Sequence, residues 1–199
     1  MIYPEFENIK IDHEIGVSPV GEDTKMMARY LSRLKFKKAV EIGTGTGFVT
    51  IYLNKIGKNC IGTDINPLAI KSANKNALNN DLKVKFLVSN LFENVEGVFD
   101  LITFNPPYGN IRSVFFTRVL ETIKSLLPKD SKLSKLAFKF TKKTRERLIK
   151  DFLKESENFI GKHGRIVIVM HSSQINILNK YTYKICGIYK DMRIVDILL

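Results

Sequence analysis

The chain of 199 residues has two cysteines, three histidines, and no apolar run near the ~20 residues that cross a bilayer. Two cysteines, Cys60 and Cys186, cannot build a disulfide framework. Each stands in an apolar stretch and is expected to be a small buried hydrophobe in a reducing compartment, which predicts a cytoplasmic protein. His13, His163 and His171 share no recognisable motif with a serine or cysteine nucleophile, so no histidine-based nucleophilic catalysis and no metal site is expected. Met1 to Asp12 carries Glu5, Glu7 and Asp12 without an apolar h-region, which argues against a secretory leader. Repeats and low-complexity tracts are missing as well. Acidic residues are the scarcer charge: 20 Asp and Glu against 32 Lys and Arg give a net charge of +12. That excess favours an acidic or polyanionic partner, RNA first among them, although 24 of the cations are lysines, which also serve solubility.

What is present is a regular alternation. Residues 1–18 read as an irregular arm punctuated by Pro4, with Pro19 just beyond, and Asp23–Leu34 carries apolar residues at helical spacing. Ala39–Ile42 reads as a buried strand, Phe48–Ile56 as a helix, and Asn59–Thr63 as a strand ending at Asp64. Pro67 suits the first turn of a helix to about Leu78, and Lys83–Val88 and Val98–Phe104 follow as strands. After a long helical and basic stretch come a strand over Gly164–His171, a short helix near 173–180, and strands Tyr181–Tyr189 and Met192–Leu199 around Lys190-Asp191. This order predicts an α/β fold, a mostly parallel seven-stranded sheet with helices on both faces and a C-terminal antiparallel hairpin.

Three strand ends carry chemistry. Glu41-Ile-Gly-Thr-Gly-Thr-Gly47 is a glycine-rich turn whose backbone can approach a ligand closely and whose following helix offers free N–H groups. Its G-x-G-x-G spacing departs from the dinucleotide fingerprint, and Glu41 beside it suits a cationic ligand better than a pyrophosphate. Asp64 follows Gly43 by 21 residues at the end of the second strand, where a carboxylate accepts ribose hydroxyls; a capping role for the Pro67 helix is the alternative. Asn105-Pro-Pro-Tyr108 closes the fourth strand. The Asn105 amide oxygen and the Pro106 carbonyl are two acceptors beside the Tyr108 ring, a set suited to a planar –NH2 group.

Together these residues resemble the signatures of Rossmann-like class I S-adenosylmethionine-dependent methyltransferases acting on amide or exocyclic nitrogens. The resemblance is greatest to the short archaeal/eukaryotic HemK-type protein-(glutamine-N5) methyltransferases. Pro19-Val-Gly-Glu-Asp-Thr24 is similar to their Pro-x-x-Glu-Asp-Thr segment, and His171-Ser-Ser-Gln-Ile-Asn176 to their Ser-Ser-Leu-Asn stretch. The resemblance implies one methyltransferase domain over 1–199: arm and helix 1–34, cofactor-binding half 39–108, basic helical segment 112–160 and C-terminal strands 164–199. It implies S-adenosyl-L-methionine on Thr24, Glu41, Gly43, Thr44, Gly45, Gly47, Asp64, Ile65, Asn90, Leu91 and Asn105, and catalysis by Asn105, Pro106, Pro107 and Tyr108. The implied substrate is a glutamine side chain of the translation release factor type. An adenine amino group of RNA or DNA is the rival, and a non-catalytic RNA-binding module the third reading. A small zinc-binding activator on the Lys83–Val88 edge, with Val84, Phe86 and Val88 sharing one side, is implied too. Two departures stand out. Gly109–Ser113 lacks an Asp-Gly-Leu segment, and Ser89-Asn90-Leu91 occupies the place of an acidic adenine contact. The stretch Lys124–Lys150 holds ten Lys and Arg on an apolar helical pattern, readable as a solvated amphipathic face or as a clamp for RNA or a ribosome-bound protein.

Overall fold

Short strands separated by glycine turns and helices have one compact solution, a sheet with helices packed on it. The computed structural model describes residues 4–107 and 145–199 and takes that form. In chain order the elements are α1 (Glu22–Ser32), β1 (Ala39–Ile42), α2 (Phe48–Lys55), β2 (Cys60–Asp64), α3 (Pro67–Asn79), β3 (Phe86–Val88) and β4 (Phe99–Phe104), then β5 (Ile160–His171), a 3-10 helix over Ser172–Leu178, β6 (Thr182–Tyr189) and β7 (Met192–Leu198). The strands lie in the order β3-β2-β1-β4-β5-β7-β6. Neighbours from β3 to β5 are parallel, and β7 runs antiparallel to both β5 and β6. The order reverses direction between β1 and β4, so the carboxyl ends of these strands open a crevice.

Packing divides the chain into two compact units, Met1–Asn105 with Glu155–Leu199, and Pro106–Lys154. In the first, Met27 and Leu31 of α1, Val49 and Leu53 of α2, Val167 and Val169 of β5 and Ile194 of β7 form one apolar cluster. Ile51, Ile70, Ala73, Ala77 and Phe86 form another between α2, α3 and the sheet edge. Each of these side chains other than the two alanines contributes about 1.5–3 kcal/mol on burial. The alternate residues Ile102, Phe104, Ile166 and Ile168 are buried too, as expected for parallel strands covered on both faces. Of the second unit, Pro106, Pro107 and residues 145–154 are described, the last of these in a helix over 145–156. There Ile149, Phe152 and Leu153 are buried while Arg147, Lys150 and Lys154 are exposed, so this part of the basic segment is amphipathic with a solvated charged face. The rest of the expected segment, and Tyr108, lie outside the described residues.

Two boundaries differ from expectation by three residues or more. β5 begins at Ile160, four residues early, because 161–164 bulge out: Phe99 pairs with Ile160 but Leu101 with Arg165, and His163 has φ +65°. A Gly-containing bulge reads as a turn in sequence. β3 is only three residues long, and Phe86 is committed to the α3 cluster while Val88 on the same side is exposed.

The arm is held in place by asparagines. Asn80 of α3's C-terminus accepts from the Lys10 N–H (2.9 Å) and donates to the Lys10 carbonyl (2.7 Å), and Asn76 treats Asp12 the same way (2.9 and 3.1 Å). Side-chain amides here imitate a neighbouring strand. Phe6 packs edge-on against the rings of Phe48 and Tyr52.

Candidate active site

The turn after β1 is shaped by three glycines at positive φ: Gly43 (+69°), Gly45 (+55°) and Gly47 (+84°). L residues pay for such angles, so each glycine has a backbone reason. Their surroundings differ. A Cβ on Gly47 would stand 2.9 Å from the Ala73 Cβ, and one on Gly43 would stand 3.1 Å from the Phe104 ring. A Cβ on Gly45 would meet nothing within 4 Å among the described residues. The turn therefore presses against the protein at its two ends and is open at its middle.

Two carboxylates brace it. Glu41 is buried and turned inward: its Oε2 accepts from the Thr44 hydroxyl (2.7 Å), the Thr50 N–H (3.1 Å) and the Thr50 hydroxyl (2.6 Å). Burial pushes its pKa up from 4.5 to about 7 against the pull of the Thr50 and Thr44 hydrogen bonds, and the Asp64 charge adds a smaller push in the same direction. Asp64 accepts the Gly45 N–H on Oδ2 and the Asn66 N–H on Oδ1, both at 2.9 Å, and burial raises its pKa. Capping of α3 falls to Asn66, which accepts from the Leu68 N–H at 3.0 Å, so Asp64 is free of that task.

Glu41 gives a pH signature. A carboxyl that titrates at about 7 in the fold and near 4.5 unfolded stabilises the protein below pH 4.5, and that stabilisation is lost as pH rises through 7. The amount is on the order of 3 kcal/mol. Glu41→Gln should flatten thermal stability between pH 4.5 and 8 relative to the parent. A variant with the parent's slope would place the titration elsewhere.

At the end of β4 the Asn105 amide is oriented by α1. Its Nδ2 donates to Asp23 Oδ2 and to Thr24 Oγ1, each at 2.9 Å. Its Oδ1 is buried and has no hydrogen-bond partner among the described residues. α1 itself is anchored at its other end, where the Tyr30 hydroxyl donates to buried Asp196, which also receives Arg165 Nη1 at 3.1 Å. Burial and the Asp196 hydrogen bond raise the Tyr30 pKa, keeping the phenol a donor.

Of the residues expected at the site, Glu41, Gly43, Thr44, Gly45, Gly47 and Asp64 are joined by the turn and its hydrogen bonds, and Thr24 and Asn105 form a second group, set beside the first by the pairing of Ile42 with Phe104. Ile65 follows Asp64 and is exposed. Asn90 is exposed and Leu91 has φ +46°; they sit beside β2 because the Ser89 N–H donates to the Asp64 carbonyl at 2.9 Å. Pro106 is buried and Pro107 exposed. His171 caps the 3-10 helix, its Nδ1 accepting from the Ser173 N–H. Sequence reasoning missed Asp23, Thr50 and Asn76. The spacing of Asn76 and Asn80, four apart on one helix, was a usable signal for the last.

A small methyltransferase domain model matches residues 18–133, more than half of the chain. The chain belongs to this methyltransferase family. A relative from Methanocaldococcus jannaschii, named provisionally as a protein N5-glutamine methyltransferase, is 38% identical over 169 residues, 84% of this chain and 79% of that protein. A release factor glutamine methyltransferase of Haemophilus influenzae is 37% identical over 52% of this chain and 42% of its own length. A ribosomal RNA small subunit methyltransferase C of the same species is 28% identical over 61% and 38%. The solved ribosomal protein L11 methylase of Lactobacillus delbrueckii superposes with a TM-score of 0.66 at 17% identity over 95% of this chain and 83% of that one, a likeness of fold. This methyltransferase is of the S-adenosylmethionine-dependent class. The cofactor fits the residues present: the middle of the turn at Gly45, open among the described residues, lies beside the partly buried Asp64 carboxylate, which suits a ligand with hydroxyl groups and positive charge.

Proposed function

We propose that this methyltransferase acts on a glutamine side-chain nitrogen in a protein substrate of the release factor kind. The observation that carries the reading is the solitary Asn105 Oδ1, an acceptor turned away from its own hydrogen bonds and ready for an N–H of a planar amide. The names of the M. jannaschii and release factor relatives, and the 84% of this chain that the first of them covers, support a glutamine over other nitrogens.

Bound S-adenosylmethionine supplies an activated sulfonium methyl group. Gly43–Gly47, Asp64 and Ile65 would hold it, with Asp64 toward the ribose and Asn90 and Leu91 toward the adenine. The work of the chain is positioning. An amide nitrogen shares its lone pair with the π system, so it is a poor nucleophile while planar. Asn105 Oδ1 and the Pro106 carbonyl accept its two N–H bonds and favour the pyramidal geometry, an interaction that strengthens along the reaction path. Pro107 fixes the direction of the Pro106 carbonyl, and Tyr108 offers the stacking platform. The proton lost from the alkylated nitrogen goes to water.

An adenine amino group is the second reading. The net charge of +12 and the ribosomal RNA methyltransferase relative favour it. A third, a non-catalytic RNA-binding module, predicts no transfer at all. For a partner we infer a small zinc-binding activator on the outer edge of β3, where Val88 is exposed and Leu78, Leu82 and Val84 line a groove.

Tritiated S-adenosylmethionine with a cell extract of the source organism separates these readings. Label sensitive to protease and resistant to RNase is expected; RNase-sensitive label would transfer the reading to nucleic acid, and no label would favour the module. A small subunit that co-purifies from the source and raises the rate is the expected sign of the activator, and full activity of the chain alone would remove it.

A further inference from the structure

We infer that Asp23 is a positioning residue that sets which end of the Asn105 amide faces the substrate. This rests on the acceptor role proposed for Asn105. The oxygen and nitrogen ends of a carboxamide have almost the same shape, so packing alone does not choose between them. Chemistry does. Asp23 Oδ2 lies 2.9 Å from Asn105 Nδ2, and a carboxylate oxygen accepts hydrogen bonds. Rotating the amide by half a turn would bring two acceptor oxygens together at that distance with no hydrogen between them. It would also turn an –NH2 toward the substrate's own N–H groups. Thr24 Oγ1 accepts from the same nitrogen but cannot enforce the choice, since a hydroxyl also donates.

The surroundings hold Asp23 in place. It is buried in the first turn of α1, where free backbone N–H groups favour a carboxylate. Met27 and Leu31, farther along the same helix, are fully buried, and Tyr30 ties the helix to Asp196. Gly21 before it has extended backbone angles that any residue adopts, yet a Cβ there would collide with Asp23 Oδ1. A Cβ at this position would therefore displace the carboxylate end of Asp23 without straining the backbone of residue 21.

The arrangement makes a reciprocal prediction. Asn105→Asp alone keeps an acceptor but puts two carboxyls in contact, which one of them relieves only by binding a proton. Asp23→Asn alone releases the amide to turn either way. Combining the two restores the pattern with the roles exchanged: an amide at position 23 donates to a carboxylate at position 105, whose second oxygen still faces the substrate.

The test measures methyl transfer from tritiated S-adenosylmethionine into the cell extract, with calorimetric cofactor affinity and thermal unfolding for each protein. Asp23→Asn and Asn105→Asp should each lower the rate about tenfold or more with cofactor affinity within a few-fold, and the double variant should return to within about threefold of the parent. Gly21→Ala, which displaces the carboxylate without removing it, should reproduce the loss seen in Asp23→Asn. Losses that multiply in the double variant, or a parental rate in Asp23→Asn or Gly21→Ala, would overturn the role of Asp23. A parental rate in Asn105→Ala would instead overturn the acceptor reading beneath it.

Discussion

Asn105→Ala should slow single-turnover methyl transfer about 10²–10³-fold, the cost typical of losing one preorganised hydrogen bond at a reacting centre. Cofactor affinity should stay within a few-fold, because the turn and Asp64 keep all of their own hydrogen bonds in the variant. The loss should fall on the rate and not on binding, since the bond to the reacting nitrogen gains strength as the nitrogen becomes pyramidal. Removal of the side chain also leaves the Asp23 carboxylate and the Thr24 hydroxyl without their shared donor. A moderate fall in thermal stability is therefore expected beside the kinetic effect, and refolding yield separates the two. A parental transfer rate would remove the acceptor role from Asn105.

The second large effect separates two glycines two positions apart. Gly47→Ala places a methyl group 2.9 Å from the Ala73 Cβ and 3.1 Å from the Ala73 Cα while forcing an L residue to φ +84°. Backbone strain of about 1–2 kcal/mol and overpacking of about 1–3 kcal/mol add in the same direction, so the melting temperature should fall by many degrees. Gly45→Ala carries the backbone cost alone, because its methyl group meets none of the described residues within 4 Å. The space it enters is the middle of the proposed cofactor cradle, so calorimetry should show S-adenosylmethionine affinity reduced at least tenfold with only a small fall in melting temperature. Equal effects of the two substitutions on both measurements would mean that the turn does not face the ligand at Gly45.

Much of this candidate site is legible in the sequence. Chemistry at the ends of parallel strands leaves local marks: alternate glycines where φ is positive, an aspartate that stops β2, two prolines after an asparagine. These depend on residues near one another in the chain. What stayed hidden depends on residues far apart. The inward turn of Glu41 is decided by Thr50 on the next helix, nine residues on, and a glutamate before a glycine turn looks the same whether it faces a ligand or a threonine. Asp23 reads as an ordinary first-turn acid, and only its approach to Asn105, 82 residues later, shows otherwise. The early start of β5 was hidden because residues that bulge from a strand carry the glycines of a turn. The fold class escaped these difficulties, since the alternation of strand and helix is carried by many residues at once.

The asparagine contacts that hold the arm also change how this part of the molecule opens. Asn76 Nδ2 donates to the carbonyls of both Asp12 and Thr46, the latter at 2.9 Å. Thr46 lies between Gly45 and Gly47, so one amide group is shared by the N-terminal tail and the glycine turn. Terminal segments outside regular structure ordinarily fray independently, at little free-energy cost to the rest. Here a tail that peels away from Asn76 also loosens a carbonyl of the turn, and a loosened turn weakens the hold on the tail. Opening at Asp12 is thus expected to be coupled to opening at Thr46, which links order in the terminus to the glycine turn.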